Sequence, residues 1–174
     1  MEDGDAQIDS RCRQLARLLA ASDQRLVLAE SCTAGLVAAS LAQISGISDL
    51  FCGSLVTYRN ATKSKWLGVP EAILARHTAV SEPVARWMAM GALVATPEAD
   101  WAASVTGHLG PAAPPEQDGL VFIGIANRDF TERCLNGITV REYRLTVPER
   151  IARQREAACR VLELVIEKLG RSES

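Results

Sequence analysis

The stretch Leu28-Ala29-Glu30-Ser31-Cys32-Thr33-Ala34-Gly35 constrains this chain more than any other. An apolar run, Arg25 to Ala29, leads into it, and another, Leu36 to Leu41, follows it. The first reads as a buried strand and the second as the opening turns of a helix. Between them stand a carboxylate, two hydroxyls, a thiol and a glycine. A strand-to-helix turn delivers such side chains to the carboxyl edge of a sheet, where α/β domains bind ligands. Backbone N–H groups from Cys32 to Gly35 can hold an anion or a developing oxyanion there.

The same alternation continues along the chain. Ile8, Cys12, Leu15, Leu18 and Leu19 share one helical face, which predicts a helix over 8–21 after a disordered tail over 1–7. A second strand is expected from Phe51 to Tyr58, followed by a short helix that Asn60 can cap. Gly68-Val69-Pro70 opens another short helical piece ending near His77. Ser81-Glu82-Pro83 starts a longer helix to Ala95, with Ser81 as N-cap and Val84, Trp87, Met88, Gly91 and Ala92 turned inward. Strands are expected at Trp101 to Val105, Leu120 to Asn127 and Thr139 to Thr146, with a hairpin turn over Arg128 to Gly137. The last helix should run from Pro148 to Leu169 on the stripe Ile151, Ala158, Leu162, Val165 and Leu169, with 171–174 frayed. Trp66, Trp87 and Trp101 read as core anchors. No repeat or linker interrupts the pattern. The 174 residues therefore predict a single α/β (α+β layered) domain, a mixed β-sheet with helices on both faces.

Charge and cysteine usage narrow the function classes. A net charge of -2 argues against a broad nucleic-acid footprint. No apolar stretch is long enough to span a bilayer, and the acidic segment Met1 to Asp9 is unlike a signal peptide. The five cysteines are scattered and form no C-x-x-C pair, which fits a reduced, cytoplasmic protein without a zinc site. Neither nucleic acid nor membrane is an expected partner.

Three segments each follow an expected strand: Glu30 to Thr33, Thr57 to Lys63, and Thr106 to Pro111. If those strands are neighbours, the segments share a site. Ser31 is the candidate nucleophile, and a serine hydroxyl needs a base to take its proton. Lys63 can serve if burial or a nearby cation keeps part of it neutral. Tyr58 can relay the proton or hold the lysine. Together these describe a serine–lysine amide hydrolase. Taken singly, the same residues have plainer readings. Ser31 and Thr33 can cap the following helix, Lys63 can be a solvated side chain, and Tyr58 can be a surface strand residue. Cys32 with His108 forms a rival nucleophile–base pair, or else an inert buried thiol. In the Gly- and Pro-rich loop after Val105, Thr106 can donate to a phosphate, but the pattern matches neither the Walker nor the dinucleotide fingerprint.

At these residues the chain resembles the C-terminal domain of the CinA (competence/damage-inducible) family, which includes bacterial nicotinamide-nucleotide amidases. The resemblance runs from the first helix to the last. It is carried by Ala29-Glu30-Ser31-Cys32-Thr33, by Gly53 with Val56-Thr57-Tyr58 and Asn60 to Lys63, by Leu67-Gly68-Val69, by Ala79-Val80-Ser81-Glu82, and by Val105-Thr106-Gly107 with Gly110-Pro111. It implies a cytoplasmic, metal-independent hydrolase without cofactor, folded as a mixed α/β sandwich and assembled as a homo-oligomer. The implied reaction converts nicotinamide mononucleotide to nicotinic acid mononucleotide and ammonia, so the expected partner is a small pyridine nucleotide. Ser31 takes the nucleophile's position, with Tyr58 and Lys63 assisting. Substrate contacts are implied at Glu30, Cys32, Thr33, Gly35 and Asn60, and in the loop at Thr106, Gly107, His108 and Gly110. The chain departs from the family pattern at Ala34, where a glycine is usual, at Arg59, at Leu120, and at His108, Leu109, Ala112 and Ala113, which put bulk into a glycine-rich loop. Two alternatives follow from those departures: a nucleotide-binding homologue without turnover, or a hydrolase of a different small amide.

Overall fold

Five runs rich in apolar residues form one mixed sheet in the structure, a computed structural model that describes residues 2–111, 113–128 and 138–172. The strands are β1 (Leu26–Glu30), β2 (Phe51–Val56), β3 (Trp101–Gly107), β4 (Leu120–Asn127) and β5 (Thr139–Arg144), in the spatial order β2-β1-β3-β4-β5. β1 runs parallel to both β2 and β3, while β4 is antiparallel to β3 and to β5. The helices are α1 (Glu2–Ser22), α2 (Leu36–Leu41), α3 (Asn60–Leu67), α4 (Glu71–His77), α5 (Glu82–Ala95) and α6 (Arg150–Ser172).

Every residue of β1 is buried, because helices cover both faces of the sheet. Leu26 and Leu28 point into a core shared with α1, α2 and α6. Val27 and Ala29 alternate to the other side, where α3, α4 and α5 pack. The chain leaves β1 through α2 on one face and reaches β3 through α3–α5 on the other. A crevice opens at the carboxyl end of β1 where two such crossovers diverge.

The two faces differ in side-chain size. Leu28, Val105, Ile123 and Ile125 fill the first core, whereas Ala29, Ala102 and Ala126 line the second. Those small residues let α5 lie close to the strands, and Ser104 Oγ donates to the Ala85 carbonyl at 2.6 Å. Gly91 permits a second close approach on α5. A Cβ built there would sit 2.0 Å from the Leu67 carbonyl oxygen at the end of α3.

Several expectations are corrected. The segment expected as a tail is helical from Glu2, and Asp5 near the start of α1 accepts from Arg155 Nε at 2.7 Å. Charged residues there carry no apolar stripe, so periodicity could not extend the helix. At the other end α6 continues to Ser172 with Arg171 paired to Glu167, and 173–174 lie outside the described residues. So do most of the expected hairpin turn, 129–137, and Ala112. Trp101 is buried, donating its indole N–H to Gln24, but Trp66 is 51% exposed and Trp87 half-buried. Ile151, placed in the α6 stripe, is 62% exposed. No described helix is long and apolar enough to cross a membrane.

Gly91→Ala should lower stability by about 1–3 kcal/mol, because the methyl must displace backbone and not a flexible side chain. A denaturant melt that shows no loss would mean that α3 and α5 can separate freely.

Candidate active site

The carboxyl ends of the three parallel strands meet, as the sequence requires for a shared site. Ser31 follows β1, and its N–H donates to the Val105 carbonyl on β3 at 3.0 Å. On the other side, the Thr57 N–H donates to the Glu30 carbonyl at 2.8 Å. The backbone around Ser31 is therefore clamped between both neighbouring strands.

Glu30 explains why the hydroxyls of the turn are free. Its buried carboxylate accepts from the N–H groups of Gly35 (3.0 Å), Val37 (3.2 Å) and Ala38 (3.0 Å), and from Ser54 Oγ (3.1 Å). It satisfies the orphan donors at the start of α2 and complements the helix dipole. Ser31 is thus not a cap. Thr33 is not one either, and its buried hydroxyl has no hydrogen-bond partner in the structure.

Lys63 reaches Ser31 from α3. Its Nζ lies 2.9 Å from Ser31 Oγ and 2.7 Å from the Thr57 carbonyl oxygen, and the side chain is 1% exposed. No carboxylate pairs with it among the described residues. Burial of the ammonium without a counter-ion pushes its pKa down from 10.5 to about 8. The amine can therefore exist neutral near physiological pH and accept the Ser31 proton across that contact. Cys32 lies beside the pair with its thiol pushed up to about 12, chiefly by burial. A thiol so held favours its protonated form, which makes Ser31 the better-supported nucleophile.

These residues open on a cavity of about 300 Å³. Tyr58 lines it, but at its mouth: the hydroxyl accepts from Arg150 Nη2 at 3.1 Å, while the Lys63 amine bonds to Ser31 and Thr57 instead. The orienting partner of Lys63 is the Thr57 carbonyl instead, a backbone group no side-chain motif reveals. Cys32, Thr106, Gly107, His108 and Gly110 line the cavity as expected positions do. The Thr106 hydroxyl, however, donates to the Ala79 carbonyl at 2.7 Å, so its proton is committed. Gly107 has no room for a side chain, since a Cβ would meet Val121 at 2.6 Å and Cys32 Sγ at 3.2 Å. Four expected substrate contacts do not line the cavity. Glu30 and Gly35 are engaged with each other, Thr33 is fully buried, and Asn60 is an exposed first residue of α3 behind the N-cap Arg59. Of the turn's N–H groups, Ala34 donates to the Ser31 carbonyl and Gly35 to Glu30, while those of Cys32 and Thr33 face the Cys32 thiol.

Sequence reasoning missed Ala79, Val80 and Arg150, all of which line the cavity. Arg150 comes from the far end of the chain, and one arginine at a helix start carries no spacing signal. A larger groove of about 580 Å³ lies between α1 and α6, away from Ser31. No His, Cys, Asp or Glu cluster among the described residues could hold a metal ion.

Known proteins share this fold. A family model described as the CinA C-terminal domain matches residues 9–169. A CinA-like protein of Anaeromyxobacter dehalogenans is 41% identical over 149 residues, covering 84% of this chain and 34% of that protein. A putative competence-damage inducible protein of Caldicellulosiruptor bescii is 44% identical over 117 residues, 66% of this chain and 28% of its own length. This chain therefore spans about a third of the length of the curated relatives it matches. Among solved structures, the competence/damage inducible protein of Agrobacterium tumefaciens superposes with a TM-score of 0.84 at 32% identity, covering 92% of this chain and 94% of that one. A CinA superfamily protein of Klebsiella pneumoniae gives 0.85 at 28% identity, with 94% and 98% covered.

Two stability predictions follow from the turn and the lysine. Ala34 holds a left-handed φ of 53°, a conformation that costs an L-residue roughly 1–2 kcal/mol. Ala34→Gly should therefore raise the unfolding free energy by about 1 kcal/mol, and a lower melting point would refute the strain. For Lys63, the folded pKa of about 8 lies below the usual 10.5, so the unfolded chain binds the extra proton between those values. The resulting penalty is full below pH 8 and fades towards 10.5. Relative to Lys63→Met, the unaltered protein should gain on the order of 3 kcal/mol as pH rises across that window. A pH-independent difference would mean that Lys63 is not desolvated.

Proposed function

The chain belongs to the CinA C-terminal domain family, and from that premise we propose that it is an amidohydrolase that deamidates a nicotinamide nucleotide through a Ser31–Lys63 pair. The observation that carries this reading is the 2.9 Å contact between Ser31 Oγ and a buried lysine amine without a counter-ion. Such a lysine has few structural uses and a clear chemical one.

Neutral Lys63 takes the hydroxyl proton as Ser31 Oγ attacks the carboxamide carbon. The carbonyl electrons move onto oxygen, where backbone N–H groups of the turn after β1 stabilise the charge. Protonated Lys63 gives its proton to the amide nitrogen, the C–N bond breaks, and ammonia leaves. Water then attacks the acyl ester as Lys63 takes its proton, the C–O bond to Ser31 breaks, Lys63 passes that proton to the leaving Ser31 Oγ, and the carboxylic acid product ionises. The Thr57 carbonyl holds the amine in line throughout. Tyr58 shapes the entrance and does not act as the proton relay. Backbone and side chains supply every step, so the reading needs no cofactor.

The second reading, ligand binding without turnover, draws on Leu109 and Ala113, which line the cavity where the family pattern has small residues.

Ammonia release from nicotinamide mononucleotide separates the two. The unaltered protein should release it, and Ser31→Ala should lose roughly 10⁴-fold or more in kcat. Cys32→Ala should keep its activity. Because only neutral Lys63 serves as base, kcat/KM should climb about tenfold from pH 7 to pH 9, through an inflection near 8, and then level. A flat profile, or full activity in Ser31→Ala, would sink the mechanism.

A further inference from the structure

The loop after β3 carries most of the bulk that sets this chain apart, and the fold gives that bulk a place. His108, Leu109, Gly110 and Ala113 line the Ser31 cavity. Leu109 is nonetheless only 3% exposed and packs into the core that α6 shares with α1 and α2. Its side chain is drawn downwards and not across the opening.

The next residue, Gly110, sits directly on an ion pair. A Cβ built there would lie 2.7 Å from Arg153 Nη1 and 2.8 Å from Asp118 Oδ1, and the backbone holds a left-handed φ of 65°. Both the close approach and the φ call for glycine. The pair joins the far end of the loop to the last helix. Arg153 Nη1 donates to Asp118 Oδ1 at 2.6 Å and Nη2 to Oδ2 at 2.8 Å, two parallel bonds from one guanidinium. Arg153 Nε donates to the Val147 carbonyl at 2.6 Å, and the residue is buried. Removing the carboxylate would leave a buried cation unmatched, so the pair resists opening. At the base of the loop the His108 N–H donates to the Leu120 carbonyl and the Leu120 N–H to the Gln117 carbonyl.

The reacting groups are held by other means. The Ser31 N–H bonds to β3 at Val105, and Lys63 bonds to Ser31 and the Thr57 carbonyl. None of these bonds involves the loop. Arg153 and Asp118 do not line the cavity.

Resting on the amidohydrolase reading above, we infer that the Arg153–Asp118 pair seats the loop after β3 and so keeps the Ser31 cavity open to substrate. Both are positioning residues that act through Gly110 and Leu109. Without the pair, Gly110 loses its seat, and His108 and Leu109 shift across the opening. Substrate then binds less tightly, while substrate that is bound reacts as before.

Steady-state ammonia release from nicotinamide mononucleotide reads that split. Asp118→Ala should raise KM about tenfold, hold kcat within about twofold and leave the inflection near pH 8 in place. Asp118→Glu, which keeps a carboxylate for both arms, should recover most of the affinity. Gly110→Ala pushes the loop off an intact pair, so it should raise KM in the same way, and joining it to Asp118→Ala should add little further. A fall in kcat at constant KM overturns the seat. So do kinetics equal to those of the unaltered protein, which would make the pair a stabilising contact only.

Amide hydrogen exchange needs no turnover. The His108 and Leu120 amides should exchange at least about tenfold faster in Asp118→Ala than in the unaltered protein, with β1 unchanged. Equal exchange overturns the seat. If β1 also exchanges faster, the fold itself has loosened, and Gly110→Ala decides by the same two measurements. Faster loop exchange in Asp118→Ala, with no ammonia released by the unaltered protein, keeps the seat and ends the amidohydrolase reading. Ammonia release by the unaltered protein, with KM and loop exchange unmoved in Asp118→Ala, does the reverse.

Discussion

The buried carboxylate of Glu30 is the interaction on which the rest of the site depends. It takes three N–H groups at the start of α2 and the hydroxyl of Ser54 on β2. One side chain thereby joins a central strand, the helix that leaves it and the neighbouring strand. An unsatisfied helix start inside a core would cost several hydrogen bonds. In a turn this rich in hydroxyls the usual remedy is a Ser or Thr cap. Because Glu30 supplies the acceptor from the preceding residue, Ser31 is left facing the cavity with its oxygen available to Lys63.

The lysine illustrates the opposite bargain. Burying it against Ser31 and a single carbonyl lowers its proton affinity and withholds the counter-ion that would make it comfortable. A fold optimised for stability alone would place an apolar residue there. Retaining an amine at that cost is what links the packing of α3 to chemistry, and the small residues at the α5 interface, Gly91 above all, are what bring α3 near enough.

Much of this was legible in the sequence because it rests on local periodicity. The strand before Glu30, the helix after it and the segments after β2 and β3 announce themselves through apolar runs ended by polar turns, and parallel pairing then brings Ser31, Lys63 and Gly107 together. What stayed hidden depends on groups without a sequence signature. The Thr57 carbonyl is backbone. Arg150 reaches the cavity only because α6 packs against α1 and α2. In the sequence Glu30 looks like a ligand contact, because a carboxylate beside a nucleophile suggests chemistry, whereas in the fold its oxygens are filled by N–H groups and a hydroxyl. Apolar neighbours in sequence for Trp66 and helical spacing for Ile151 suggest the core, yet neither specifies that a partner covers the residue, and both are exposed.

The parallel docking of α1 on α6 has a practical consequence for anyone attaching a probe. Asp5 meets Arg155, little more than one helical turn from Arg150 at the cavity entrance. A dye on the opening turn of α1 would therefore sit within sensing range of whatever enters the cavity. Ser172 closes α6 22 residues beyond Arg150, about 33 Å along the helix axis. A bead or surface tether fixed there would leave the entrance unobstructed, so the two ends of the chain offer a reporter position and an immobilisation position on one continuous layer.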